Sequence, residues 1–283
     1  MPQSEVTSAP CPECGGSGWL IAADGGAGRA RPCVCRQQQI HARKLAAAAI
    51  PERYAHCKIE KFVTASPDPR EQNQLVQARA IALGYVEQFL KEGGTFSDSG
   101  LLFIGPPGVG KTHLAVGVLK ELIQRYGVHG RFAEFSSLLH QIQATFDPSS
   151  SESKHEVLDP LTEADVLVLD ELGSQQATPW VRDILYLIIN QRYLRRLPTI
   201  FTTNYLLAAP NDPAAIRSRP KPENLDRGRD PEAAAPVDTM KLLSSRIPGS
   251  LVSRLYEMAQ PVELSAVADF RREHKLYKAR VAT

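Results

Sequence analysis

The chain has 283 residues, 43% of them hydrophobic and 23% charged, and a formal net charge of +2. This composition excludes a wholly disordered or fibrous chain. The near-zero charge excludes a global basic field, so any nucleic-acid contact has to come from local patches. The longest apolar runs, such as Leu45–Ile50 and Ile184–Ile189, are far shorter than the ~20 residues a membrane span needs. Met1-Pro2-Gln3-Ser4-Glu5 has neither the basic nor the apolar region of a signal peptide. A soluble, cytoplasmic protein with no membrane partner is expected.

In chain order, residues 1–35 are rich in Gly, Pro and Cys and lack the large apolar groups of a core. Residues 36–49 are good helix formers, stopped by Ile50-Pro51 because the residue before proline avoids the α region. Residues 66–70 form a turn. Glu71–Glu92 carries apolar residues at helical spacing and closes at Gly93-Gly94. Leu101–Ile104 is a short strand, and Lys111 to about Tyr126 a helix. Gly130–Phe135 is a candidate strand, Ser149–Ser153 a polar loop, and Asp165–Leu169 a buried strand, being β-branched and too short for a helix. A helix over Trp180–Leu197 and a buried strand over Thr199–Thr203 follow.

Alternating strands and helices predict an α/β fold with a parallel sheet covered on both faces. The pattern breaks at 208–236, where six prolines and ten charged residues stand with almost no large apolar side chains. Such a stretch buries too little to order itself and is expected to be a disordered insertion. Order should resume near Met240 and run to a basic C-terminus. The expected division is 1–50 and 51–283.

Three motifs carry chemistry. Gly105-Pro106-Pro107-Gly108-Val109-Gly110-Lys111-Thr112 fits G-x4-G-K-[ST] between a predicted strand and a predicted helix. Its glycines let backbone N–H groups close around phosphates, and the helix N-terminus adds free donors. Lys111 would reach the β- and γ-phosphates, and Thr112 would ligate Mg²⁺. Asp170-Glu171 ends a buried strand: Asp170 would hold Mg²⁺ and Glu171 would act as general base. Asn204 follows the strand Thr199–Thr203, at the sheet edge where ligands bind, and could orient a lytic water.

The cysteines add a fourth signal. Cys11-x2-Cys14 and Cys33-x-Cys35 flank a glycine-rich loop. In a reducing compartment, two close pairs predict a closed tetrahedral Zn²⁺ site. The metal would supply the folding energy this small segment lacks. Cys57 stands alone and reads as a small buried apolar residue. His113 reads as packed or phosphate-adjacent. Arg192, Arg195 and Arg196 read either as a solvated helix end or as a contact for a neighbour or DNA phosphates.

The three motifs together resemble AAA+ ATPases, a three-layer αβα P-loop NTPase fold. Ile50-Pro51-Glu52-Arg53-Tyr54 with Lys61-Phe62, Arg192-Tyr193 with Leu197–Ile200, Thr202–Asn204, Gly249–Leu255 and Asp269–Arg271 are similar to the bacterial helicase-loader family (DnaC/DnaI type) and its transposon relatives (IstB type). The resemblance covers roughly 50–207 and 240–272. It implies ATP or ADP with Mg²⁺ as ligands, and a homo-oligomer with nucleotide at subunit interfaces. It further implies contact with single-stranded DNA and loading of the replicative hexameric helicase. Arg254 falls where the family places an arginine finger, Arg271 near a sensor arginine, and Arg53 and Tyr54 where adenine is touched. The insertion departs from the family pattern, and the short stretch after Arg254 implies only a vestigial lid. Cysteine-rich N-termini favour the loader. A transposition accessory ATPase and a non-hydrolysing nucleotide-gated adaptor are the rival readings.

Overall fold

Residues 11–21, 30–147, 153–176, 178–207 and 242–270 are described in a computed structural model. The first elements are a hairpin of β1 (Trp19–Ile21) and β2 (Ala30–Pro32), followed by helix α1 (Val34–Ala47). Two single turns, Glu52–Tyr54 and Ile59–Lys61, lead to α2 (Pro69–Glu87). Asp68 caps α2 by accepting from the Arg70 N–H at 2.8 Å, and Pro69 sits at the first helical position, where its missing N–H costs nothing.

The main sheet holds β3 (Gly100–Ile104), β4 (Gly130–Glu134), β5 (Val166–Asp170), β6 (Thr199–Thr203) and β7 (Ala259–Glu263). Its order is β4-β5-β6-β3-β7, and every pairing is parallel. Between the strands run α3 (Lys111–Tyr126), α4 (Phe135–Ala144), α5 (Lys154–Glu163), α6 (Pro179–Leu194) and α7 (Gly249–Met258). The three central strands β3, β5 and β6 are buried along their whole length, as their unbroken apolar runs require.

Strand periodicity sorts the core into two layers. Leu101, Phe103, Val166, Val168 and Ile200 face α2 and α3, while Leu102, Ile104, Leu167, Leu169 and Phe201 face α4, α5, α6 and α7. This is the three-layer α/β arrangement expected from the sequence. Helix α1 is docked on the same body: Phe132 N–H donates to the Ala48 carbonyl at 2.8 Å, Arg131 Nη1 to Ala47 at 3.1 Å, and Lys44 Nζ to Gly127.

Several elements differ from the sequence reading. Helix α2 stops at Glu87, not Glu92, because Phe89 is drawn into the core and stacks on Phe96 at 5.2 Å. The chain reverses through Gly93 and Gly94 instead of ending a helix there. Helices α4 and α5 have no counterpart in the sequence reading. Glu134 caps α4 through both carboxylate oxygens, and Ser153 with Glu156 forms a reciprocal cap on α5. Strand β7 has none either, since Pro261 inside Ala259–Glu263 argues against a central strand. Its place at the sheet edge tolerates the proline. The 208–236 insertion, Arg271 and any lid beyond Phe270 lie outside the described residues.

Candidate nucleotide site and cysteine cluster

Strand β3 delivers residues 105–110 directly into the N-terminus of α3. Gly108 and Gly110 have φ of 87° and 94°, a conformation other residues rarely adopt. A Cβ on Gly110 would lie 2.6 Å from the Phe62 ring, and one on Gly108 would lie 1.9 Å from an Asp269 carboxylate oxygen. The loop is therefore gripped between the segment before α2 and the segment after β7. The latter is tied to α2, since Gln74 accepts from the Ala266 N–H at 2.9 Å. Lys111 is largely buried, and its Nζ donates to the Gly105 and Pro106 carbonyls at 2.8 and 2.7 Å.

A hydroxyl–carboxylate chain joins three elements behind this loop. Thr112 Oγ1 at the start of α3 donates to Asp170 Oδ1 at 2.9 Å. Thr202 Oγ1 from β6 donates to the same oxygen at 2.6 Å. Thr202 Oγ1 in turn accepts from the Glu171 N–H at 2.9 Å. Burial pushes the Asp170 carboxyl up from its ordinary value, against the two hydroxyl donors and the Lys111 charge. Glu171 stands at φ 58°, unusual for a residue with a side chain, which turns the chain sharply where β5 ends. Asn204 follows β6, half-buried, one residue past Thr203, whose carbonyl accepts from the Gly105 N–H at 3.3 Å. The phosphate loop, Asp170, Glu171 and Asn204 thus stand at one edge of the sheet, at the carboxyl ends of adjacent strands. A hard cation would find oxygen ligands in Thr112 and Asp170.

The other residues singled out from sequence lie around this centre. His113 turns from the loop: its Nε2–H donates to the Lys58 carbonyl at 2.8 Å, and its ring meets Phe62. Arg53 lies over the Tyr54 ring at 5.0 Å, and Tyr54 packs on Phe132. Arg254, on α7, lies over the rings of Tyr186 and Tyr193 of α6 at 4.9 and 5.5 Å. Its Nη2 reaches Tyr186 Oη at 3.4 Å, while its Nη1 is enclosed without a hydrogen-bond partner. Arg192 departs from both sequence readings. It is fully buried, donating to Thr199 and to the carbonyls of Leu161, Ala164 and Pro198. It holds the α5–β5 and α6–β6 connections together and cannot meet DNA.

The four N-terminal cysteines converge. Their sulfurs all lie within 4.8 Å of one another and form no disulfide. Cys11 Sγ and Cys33 Sγ are 3.8 Å apart, and Cys14 Sγ and Cys35 Sγ 3.4 Å. A tetrahedral ZnS₄ unit with Zn–S of about 2.3 Å sets S···S near 3.8 Å, so the four sulfurs fit a zinc ion. The Gly18 N–H donates to Cys14 Sγ at 3.3 Å, as amides around metal thiolates do. The hairpin β1–β2 bridges the two pairs, and Arg36 covers the Trp19 ring at 4.1 Å.

Residues 33–211 match the family described as IstB-like ATP binding protein. The chain belongs to that family. It is 32% identical over 134 residues to the replicative helicase loader DnaC of Escherichia coli, covering 47% of this chain and 50% of that protein. It is 36% identical over 104 residues to the putative ATP-binding protein of insertion sequence IS5376 from Geobacillus stearothermophilus, 37% of this chain and 39% of that one. The crystal structure of the DnaC helicase loader superposes with a TM-score of 0.54 at 29% identity, covering 75% of this chain and 99% of that chain. The chain spans about half the length of the curated relatives it matches. The fold is that of an AAA+ domain. The family match begins at Cys33, so Cys11, Cys14 and the hairpin precede it. Among the described residues, no helix is long and apolar enough to cross a membrane.

Proposed function

We propose that this protein is an ATP-dependent loader of a replicative hexameric helicase onto single-stranded DNA. The observation that carries the reading is the likeness to the solved DnaC helicase loader, at 29% identity over 99% of that chain. Residues 1–50 would form a zinc module plus linker helix that engages the helicase, and residues 51–283 the ATPase. ATP with Mg²⁺ would sit on the phosphate loop, with Thr112 and Asp170 as metal ligands. Glu171 would take the proton of the attacking water and Asn204 would orient it. Arg254 would complete the site of a neighbouring subunit, so that ATP assembles an oligomer on DNA and turnover releases the helicase. The place of Arg254 over the Tyr186 and Tyr193 rings supports that role, since an always charged, planar guanidinium held on rings suits phosphate oxygens. Arg53 and Tyr54 would lie toward the adenine and Arg271 toward the phosphates.

The likeness to the insertion-sequence protein supports a second reading, a transposition accessory ATPase acting on target DNA. Co-purification of the full chain with the host replicative helicase, followed by an ATP-dependent loading assay on single-stranded DNA, separates the two. A stable helicase complex that transfers the ring to DNA is the expected result. No helicase complex, together with ATP-dependent binding of duplex DNA, would replace the loader by the second reading.

A further inference from the structure

The fold brings His113 to two side chains, His56 and Cys57, that are neighbours in the sequence but lie 55 or more residues before it. Cys57, His56 and His113 each offer one ligand atom, and these atoms all lie within 4.8 Å of one another. Cys57 is buried, His113 half-buried and His56 exposed. Cys57 Sγ stands 3.9 Å from His56 Nε2, and the two imidazole rings meet edge-on with centroids 6.0 Å apart. Tetrahedral zinc with Zn–S of about 2.3 Å and Zn–N of about 2.0–2.1 Å sets S···N near 3.6 Å. The Cys57–His56 spacing is close to that of a bound ion, and His113 lies within 4.8 Å of both ligand atoms.

We infer that His56, Cys57 and His113 form a second zinc site, separate from the four-cysteine cluster. One thiolate and two imidazoles are a donor set for zinc rather than for magnesium or calcium, which prefer oxygen. The outer contacts agree. A carbonyl can only accept, so the bond from His113 to the Lys58 carbonyl puts the proton on Nε2 and the lone pair on Nδ1. This is the backbone contact that commonly orients a metal-bound imidazole. The Lys120 ammonium donates to the Ala55 carbonyl at 2.6 Å, beside the site. Binding releases the thiol proton to solvent, and the exposed His56 marks the route of entry. A water completes the shell, as three protein ligands leave one position open.

The position gives the site a consequence. Cys57 lies in the strap joining the α1 region to α2, and His113 directly follows Lys111 and Thr112. Phe62 from the same strap touches both His113 and the place a Gly110 Cβ would occupy. Zinc here would staple the strap to the first turn of α3, beside the phosphate loop. Such a site would exist whether the chain loads a helicase or not.

Full-length protein dialysed against zinc, then freed of loose metal, would be compared with His56→Ala and Cys57→Ala. Wild type should hold about one more zinc per chain than either variant. In cobalt-loaded protein the same variants should lose the absorption of a tetrahedral ion with a single thiolate. His56 is exposed, so His56→Ala keeps the fold intact, and its affinity for the second ion should fall at least about tenfold. Equal metal content in all three proteins would overturn the site. So would a His56→Ala variant with unchanged cobalt affinity. Because the readout is a difference between proteins, it holds whether the four-cysteine cluster is filled or empty.

Discussion

Thr112 and Asp170 stand 58 residues apart in sequence and meet at 2.9 Å. That hydrogen bond closes the phosphate loop onto the acidic end of β5. Thr202 holds the same carboxylate from the neighbouring strand. The fold itself thus holds the candidate magnesium ligands in place, which is what pre-organised electrostatic catalysis requires.

Binding and turnover should separate by mutation. Lys111 is the loop's only cationic side chain, so Lys111→Ala should abolish ATP binding in a titration with a fluorescent analogue. Glu171→Gln keeps the shape and the backbone contact to Thr202 but loses the base. It should bind normally and hydrolyse at least ~10²-fold more slowly. Wild-type turnover by Glu171→Gln would remove Glu171 from the role.

Thr202 should be a positioning residue. Thr202→Val keeps the β-branched packing but removes one of the two hydroxyl donors to Asp170 Oδ1 and the acceptor of the Glu171 N–H. The loss should be about 1–3 kcal/mol in urea unfolding. Because Glu171 is held by that contact in an unusual conformation, kcat should fall further than ATP affinity. Thr202→Ser, which restores the hydroxyl, should recover both.

The raised Asp170 carboxyl predicts a pH dependence with a definite sign. A carboxyl whose folded value is above its unfolded value stabilises fully below the unfolded value and loses that contribution as pH rises through the folded one. Without nucleotide or Mg²⁺, stability should decline from about pH 4 upward. Asp170→Asn should flatten that decline and be the more stable protein near neutrality. It should also lose Mg²⁺-dependent turnover, since the buried charge serves the metal and not the fold. A metal-free Asp170→Asn less stable than wild type at neutral pH would contradict the burial argument.

Arg254 should act on a neighbour. Arg254→Ala should bind ATP and hydrolyse it ~10³-fold or more slowly. Its stability should change by only about 0.5–1 kcal/mol, the size of an exposed cation–π contact. Mixed with Lys111→Ala, it should regain part of the activity as concentration rises, because one interface then has both an intact loop and an intact arginine. Co-assembly of the two variants without recovery would exclude action in trans.

The four-cysteine cluster should be metal-dependent. Cys11→Ser should release zinc from that site and unfold the β1–β2 hairpin, because the described residues between 11 and 35 bury almost no apolar surface besides Cys33. Amide exchange across 11–35 in wild type and variant measures this. Loss of zinc with full protection retained would show that the hairpin does not need metal.

Reading the sequence alone reached the features built from neighbours along the chain. The phosphate loop, the Asp170-Glu171 pair and the two cysteine pairs need fixed spacings, and a fixed spacing survives as a written pattern. The buried strands β3, β5 and β6 were legible too, since a strand covered on both faces has to be apolar throughout. What depends on distant partners was not legible. Pro261 disguised β7, which only its edge position makes possible. Arg192 looked like a surface charge until four oxygen acceptors from two segments enclosed it. Phe89 left its helix because Phe96 and Tyr126 offer it ring contacts in the core. Cys57 seemed solitary because His113 is brought to it only when α3 packs on the strap before α2. The sequence determined the local chemistry, since short motifs carry their own geometry. The tertiary structure alone decided which charges are buried, which edge is filled and which donors meet, because those depend on packing between segments tens of residues apart.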